Sequence, residues 1–274
     1  MLESLSASVR EIKVENRLVR VKQTGKGLPL FLLHGWGMES SYFASLIEVL
    51  KKEKAFSFLS FDWPGFGEAA HLDRSWTLSD YSDFLQKVVS ELGFREYVVL
   101  GHSFGGSVLI HALSQQKIQP QCVILCGSSG IRFPKGFRNR CLRFIAKLGK
   151  KVFSLPGLNL FKKRVKKYFY RKIGSTDYLR SEKTPFLKPT LQNILRQDLR
   201  PFLKKIDLPV LLLWGKKDAY TPVWYAKIMD QELPRSELVI LDDAAHDLLR
   251  VKSHLAAQKI SQFIAKCYNR GNVK

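Results

Sequence analysis

Along this chain, short unbroken apolar runs alternate with longer stretches in which apolar residues recur every three or four positions. The runs at residues 28–33, 56–61, 97–100, 122–126, 209–214 and 238–241 have the length and the Val, Ile, Leu and Phe content of strands buried on both faces. The periodic stretches near 40–52, 77–92, 104–116, 221–231 and 250–267 read as helices. Strands and helices taking turns in this way predict a mainly parallel sheet with helices on both faces. Residues 11–22 instead alternate apolar and polar side chains one by one. That pattern predicts a β-hairpin turning near Asn16, placed at an antiparallel edge of the sheet.

Several of these strands run into loops that carry reactive groups. The strand at 97–100 leads through Gly101-His102-Ser103-Phe104-Gly105-Gly106 into a helical pattern. A Gly-x-Ser-x-Gly turn between strand and helix holds its serine in a strained backbone conformation with the hydroxyl exposed, and its glycines keep side chains out of neighbouring backbone. Ser103 is therefore the candidate nucleophile. The strand at 28–33 runs into His34-Gly35-Trp36-Gly37, which makes the backbone N–H groups of Trp36 and Phe104 candidates for an oxyanion hole. The strand at 56–61 ends in Asp62-Trp63-Pro64-Gly65-Phe66-Gly67, a sharp loop expected to shape a pocket rim.

Downstream, the strand at 209–214 is followed by Gly215-Lys216-Lys217-Asp218, and that at 238–241 by Asp242-Asp243-Ala244-Ala245-His246. Functional residues of open α/β sheets collect beyond the carboxyl ends of the strands, so these loops should converge with the serine turn. The candidates then occur in the order Ser103, Asp218, His246. Other residues compete for the roles. His34 and His102 lie inside turn motifs, where packing or hydrogen bonding is the expected role. His111 and His254 fall on helices, and His71 in a polar loop. Asp198 and Asp207 flank the far end of the strand at 209–214, while Asp242 and Asp243 stand too near His246 in sequence to be the first choice.

These separated motifs together resemble the α/β-hydrolase family from about residue 10 to residue 267. The turn at 34–37 is similar to that of esterases, the pimeloyl carrier-protein methyl ester esterases among them, and of meta-cleavage C–C bond hydrolases. The resemblance implies Ser103 as nucleophile, His246 as general base and then acid, and Asp218 as the carboxylate that orients His246. Glu68 departs from the pattern, since many relatives carry a small hydroxyl residue after the Gly-x-Gly loop. The chemistry is coherent apart from the family. A serine hydroxyl is a weak nucleophile near neutral pH, so an imidazole must take its proton and a buried carboxylate must fix the imidazole tautomer. A serine in this place also turns the reaction away from alkyl-enzyme routes and towards acyl transfer to water.

Composition fits one domain with an insertion. With 274 residues, 45% of them hydrophobic, the chain can build a single sizeable core. The charge, however, is concentrated. Residues 1–131 hold 13 basic and 13 acidic side chains, 132–205 hold 22 and 3, and 206–274 hold 10 and 8. Nearly all of the net +21 therefore sits in 132–205. The family resemblance implies a helical cap there, with the hydrolase core formed by 1–131 and 206–274. Residues 137–151 and 160–172 read as basic amphipathic helices whose apolar sides face the core or the substrate. Their charge is either a solvated cap surface or a docking surface for an anionic partner. An anionic membrane or an acidic acyl carrier protein ranks above nucleic acid, because no nucleic-acid-binding motif accompanies the charge.

Cys122 and Cys126 are four residues apart on a stretched strand, too far to bond, and Cys141 and Cys267 are isolated in sequence. Reduced thiols, no metal and no cofactor are expected. The N-terminus is too polar for a signal peptide and no apolar run is long enough to span a bilayer, which suggests a cytoplasmic protein. The expected function is a serine hydrolase acting on a carboxylic ester or thioester of a small-molecule acyl substrate. The alternatives are a C–C bond hydrolase and a ligand-binding homologue that turns over negligibly.

Overall fold

The computed structural model describes residues 8–132 and 185–271. Strands β1 (Ser8–Val14) and β2 (Arg17–Gly25) form the expected antiparallel hairpin, turning at Glu15 and Asn16. β3 (Leu28–Leu33), β4 (Phe56–Ser60), β5 (Val98–His102), β6 (Cys122–Cys126), β7 (Val210–Gly215) and β8 (Ser236–Leu241) are mutually parallel. The sheet order is β1-β2-β4-β3-β5-β6-β7-β8, with β2 antiparallel to β4. Because β3 to β8 point one way, their carboxyl ends and the loops that follow line a single edge.

Alternation along each central strand divides the core in two. In β3, Phe31 and Leu33 join one buried cluster while Leu30 and Leu32 join the other; in β7, Val210, Leu212 and Trp214 face one side and Leu211 and Leu213 the opposite side. A one-residue slip would exchange these sets, so two-sided burial fixes the register. Helices α2 (Leu78–Leu92), α3 (Phe104–Ser114) and α6 (Val223–Glu232) cover the first face. Helices α1 (Ala44–Leu50), α7 (Leu248–Val251) and α8 (Ser253–Gly271) cover the second. Each fully buried Leu or Phe contributes about 1.5–3 kcal/mol relative to an exposed one. At the start of α2, Thr77 and Asp80 form a reciprocal capping box, worth about 1 kcal/mol.

Two predicted helices are interrupted. Residues 40–53 form a 3-10 turn, then α1, then a second 3-10 turn. The Ser40 N–H donates to Asp62 Oδ1 at 2.6 Å, which anchors the first turn to a loop 22 residues away. The stretch 250–267 begins earlier and is broken at Lys252 into α7 and α8. Cys267, isolated in sequence, is carried by α8 against Cys122, and that neighbour together with burial pushes the Cys122 thiol up. Cys122 and Cys126 are free thiols.

Much of the basic segment 132–205, including 137–151, 160–172 and Cys141, lies outside the described residues. Its described end contains α4 (Leu187–Arg196) and α5 (Arg200–Leu203), neither of which the sequence reading separated from the surrounding charge. The Arg132 guanidinium donates to the carbonyls of Ile194 and Gln197 and so caps the end of α4. Thr190 on α4 accepts the Trp76 N–H at 2.9 Å, and the Leu199 N–H donates to the Gly130 carbonyl at 2.9 Å.

Candidate active site

β5 ends at His102 and α3 starts at Phe104, leaving Ser103 alone at the turn with φ 52° and ψ −112°. A non-glycine residue in this region costs about 1–3 kcal/mol, and it persists only where its surroundings hold it. Three backbone hydrogen bonds do so. The Ser103 N–H donates to the Cys126 carbonyl at 3.0 Å, and the Ser103 carbonyl accepts from Ser107 at 3.2 Å and Ser129 at 3.1 Å. The turn packs so closely on β3 that a methyl group on Gly105 would lie 2.2 Å from the Leu33 carbonyl oxygen.

The loops after β7 and β8 bring Asp218 and His246 into contact. His246 Nδ1 lies 2.7 Å from Asp218 Oδ2. Asp218 Oδ1 accepts the N–H groups of Tyr220 at 2.9 Å and Thr221 at 2.8 Å, and its side chain is wholly buried. Thr221 Oγ1 stands between Asp218 Oδ2 at 2.8 Å and the Gly127 carbonyl at 2.9 Å. A carboxylate so occupied only accepts, so the imidazole proton sits on Nδ1 and the His246 Nε2 lone pair is left for another group. The Tyr220 ring packs 5.0 Å from the His246 ring. Thr221 and Tyr220 were not among the sequence candidates. The spacing Asp218-Ala219-Tyr220-Thr221, in which a carboxylate accepts from the amides two and three residues on, was the available signal.

The competing carboxylates are engaged elsewhere. Asp242 pairs with Lys216 and Asp243 with Lys217, each at 2.8 Å, on the surface. Asp198 pairs with Arg200, and Asp207 is exposed. Among the histidines, His71 and His254 are exposed, and His111 Nδ1 lies 2.9 Å from the Ser82 hydroxyl.

His34 organises the turn after β3. Its Nε2 accepts the Trp63 N–H at 3.1 Å, so Nδ1 carries the proton and donates to the Gly35 carbonyl at 2.8 Å. The Trp63 indole N–H in turn donates to the His34 carbonyl at 3.1 Å. Burial lowers the His34 pKa from 6.5 to about 4, outweighing the Gly35 carbonyl and the Asp62 charge. Burial acts upwards on Asp62, but the Glu68 and Ser40 amides more than offset it and hold the carboxyl below its ordinary value. The Trp36 ring meets the Phe104 ring edge-on at 5.4 Å and the Phe66 ring at 4.8 Å, which fixes the turn of β3 against that of β5. The Phe104 amide belongs to the first turn of α3, where N–H groups have no intrahelical acceptor. Glu68 contributes its amide to Asp62 and directs its side chain to solvent.

A separate cleft of about 280 Å³ is lined by Arg17, Arg20, Lys22, Asp62 and Glu68 among others, and by none of Ser103, Asp218 or His246. Among the described residues no cluster of three or more His, Cys, Asp or Glu side chains could hold a metal ion, and no helix is long and apolar enough to cross a membrane.

The chain is 26% identical over 280 residues to the AB hydrolase superfamily protein YisY of Bacillus subtilis, covering 92% of this chain and 97% of that protein. It is 29% identical over 247 residues to the pimeloyl-acyl-carrier-protein methyl ester esterase of Nitrosomonas europaea, covering 83% of this chain and 92% of that enzyme. Among solved structures, the proline iminopeptidase of Mycobacterium smegmatis superposes with a TM-score of 0.74 at 20% identity, over 97% of this chain and 100% of that one. Likeness at that identity speaks to the fold alone. The sequence also matches one family along residues 30–255, from β3 into α8. On that match, together with its sheet order, the chain belongs to the alpha/beta hydrolase family.

Proposed function

We propose that this hydrolase cleaves a carboxylic ester or thioester through an acyl-enzyme on Ser103. The observation that carries this reading is the Asp218–His246 hydrogen bond, formed at the same sheet edge as the strained Ser103 turn. With Nδ1 held by Asp218, Nε2 of His246 takes the Ser103 hydroxyl proton as Oγ bonds to the acyl carbon. The carbonyl oxygen becomes an oxyanion, received by the backbone N–H groups of Trp36 and Phe104. His246 then returns the proton to the departing alkoxide or thiolate. Water, deprotonated by the same imidazole, releases the acid and restores Ser103. No cofactor enters the cycle.

The partner assignment rests on charge and on relatives. Residues 132–205, read as a cap over a core of 1–131 and 206–274, hold 22 basic and 3 acidic side chains. Such a segment attracts an anionic donor of the acyl group, either an acidic carrier protein or an anionic membrane surface. The carrier is favoured because a relative 29% identical is named for an acyl-carrier-protein ester.

Hydrolysis of p-nitrophenyl esters from acetyl to palmitoyl, with Ser103→Ala in parallel, tests the reading. Turnover by the wild type and none by the variant is expected. Equal rates for both would overturn it. Adding an acidic acyl carrier protein or anionic liposomes then separates the two partners, since only the partner that docks should compete.

A further inference from the structure

Ser103 follows β5 and His246 follows β8, with β6 and β7 between them in the sheet. His102, the residue before the nucleophile, reaches across that gap. Its side chain is wholly buried, and its Nε2 lies 2.9 Å from the His246 carbonyl oxygen. The ring stacks on Tyr42 at 4.7 Å, with the Tyr42 hydroxyl 3.3 Å from Nε2, and stands 4.8 Å from the His246 ring. A carbonyl oxygen only accepts, so the proton is on Nε2 and Nδ1 carries the lone pair. Nδ1 is buried with no hydrogen-bond partner. On that side lies the turn after β3: a methyl group on Gly35 would sit 3.1 Å from His102 Nδ1 and 3.2 Å from Ser103 Cβ. One imidazole therefore touches the His246 loop, the turn after β3 and the start of the second helical layer, while its own backbone leads into Ser103.

We propose that His102 is a positioning residue for hydrolysis, its Nε2–H holding the His246 main chain so that the His246 imidazole stays in reach of Ser103. The inference rests on the reading of Ser103 and His246 as nucleophile and base. Filling space alone does not call for a ring nitrogen buried without a partner, which is unfavourable. Burial first, and the adjacent His246 second, hold the His102 pKa well below its ordinary value. His102 thus keeps one tautomer while His246 gains and loses its proton.

Two variants and one measurement on the wild type test this. His102→Leu removes the donor, whereas His102→Gln keeps an N–H near the position of Nε2. Misplacement of a catalytic group by about 1 Å costs about 10²-fold, so His102→Leu should lower kcat and the rate of fluorophosphonate labelling at Ser103 by that order. KM should be unmoved, and His102→Gln should recover most of the loss. In the unmodified protein, ¹⁵N NMR of the imidazoles should find His102 as the neutral Nε2–H tautomer, a result that does not depend on any variant folding. Wild-type kcat in His102→Leu, or an Nδ1–H or doubly protonated His102, would overturn the inference. A folded wild type inert to both ester and fluorophosphonate would overturn the hydrolase reading itself, an outcome distinct from an active enzyme indifferent to His102.

Discussion

Asp218 holds His246 through a 2.7 Å hydrogen bond from Nδ1 to Oδ2, and donors from its own loop fill the rest of the carboxylate. The imidazole is thereby fixed in one tautomer and one orientation. Asp218→Asn presents an N–H or a neutral oxygen in place of the charge. On the proposed reading the variant should fold and lose about 10⁴-fold in kcat, as loss of tautomer control does in established Ser-His-Asp sites. Steady-state kinetics beside a thermal melt checks it, and a loss below tenfold would speak against the assignment of Asp218.

Thr221 supports that carboxylate with a hydroxyl shared between Asp218 and the Gly127 carbonyl. Thr221→Val keeps the shape and removes the donor. Loss of one such hydrogen bond is worth about 1–2 kcal/mol, which corresponds to about tenfold in kcat. Thr221→Ser should retain most of the activity. Equal rates for the Val and Ser variants would show that the hydroxyl is dispensable.

His34 makes stability depend on pH. Its native pKa is lowered from 6.5 to about 4, so above pH 6.5 the ring is neutral in both states and the full stability is present. Between those values the unfolded chain binds a proton that the native state refuses, and stability falls as the pH falls. The linkage is worth up to about 3 kcal/mol. Denaturant unfolding at intervals from pH 8 to pH 4.5 measures it. His34→Asn should remove its part of the decline, to which the buried His102 contributes in the same direction, and an unchanged slope would remove His34 as a source.

Gly105 has no room for a side chain, because the Leu33 carbonyl oxygen would lie 2.2 Å from an added methyl group. The nearest atoms, of Leu33 and His34, are all backbone, which prevents easy relief. Gly105→Ala should cost about 1–3 kcal/mol, seen as a lowered thermal midpoint together with impaired activity. A variant as stable and as active as the wild type would contradict the close approach of β3 and the serine turn.

The legible parts of the molecule were those whose causes are local. Apolar runs of the length of β3 to β7 show buried strands directly, and Gly101, Ser103 and Gly105 mark a turn whose strain needs those residue types. Asp218 and His246 stand out in the sequence by their offsets from strand ends, and the structure joins them by a hydrogen bond. What escaped depends on distance. The helix expected over 40–52 is a 3-10 turn, α1 and a second 3-10 turn, and its first amide is held by Asp62 from 22 residues away. Cys267 looked isolated until α8 set it on Cys122. Helix α4 has Leu187, Leu191 and Ile194 at helical spacing, yet it stands in a segment whose charge dominated the reading. For His102 a packing or hydrogen-bonding role was legible from the turn motif but its partners were not, since they come from residues 42 and 246.

The central claim is that Ser103 is an activated nucleophile. Reaction of the folded wild type with a fluorophosphonate, followed by intact-mass and peptide-mapping spectrometry, tests it without knowledge of the substrate. One adduct per chain on the peptide containing Ser103 is predicted, absent in Ser103→Ala and strongly slowed in His246→Ala. A folded wild type that remains unmodified, or an adduct at any residue other than Ser103, would contradict the account.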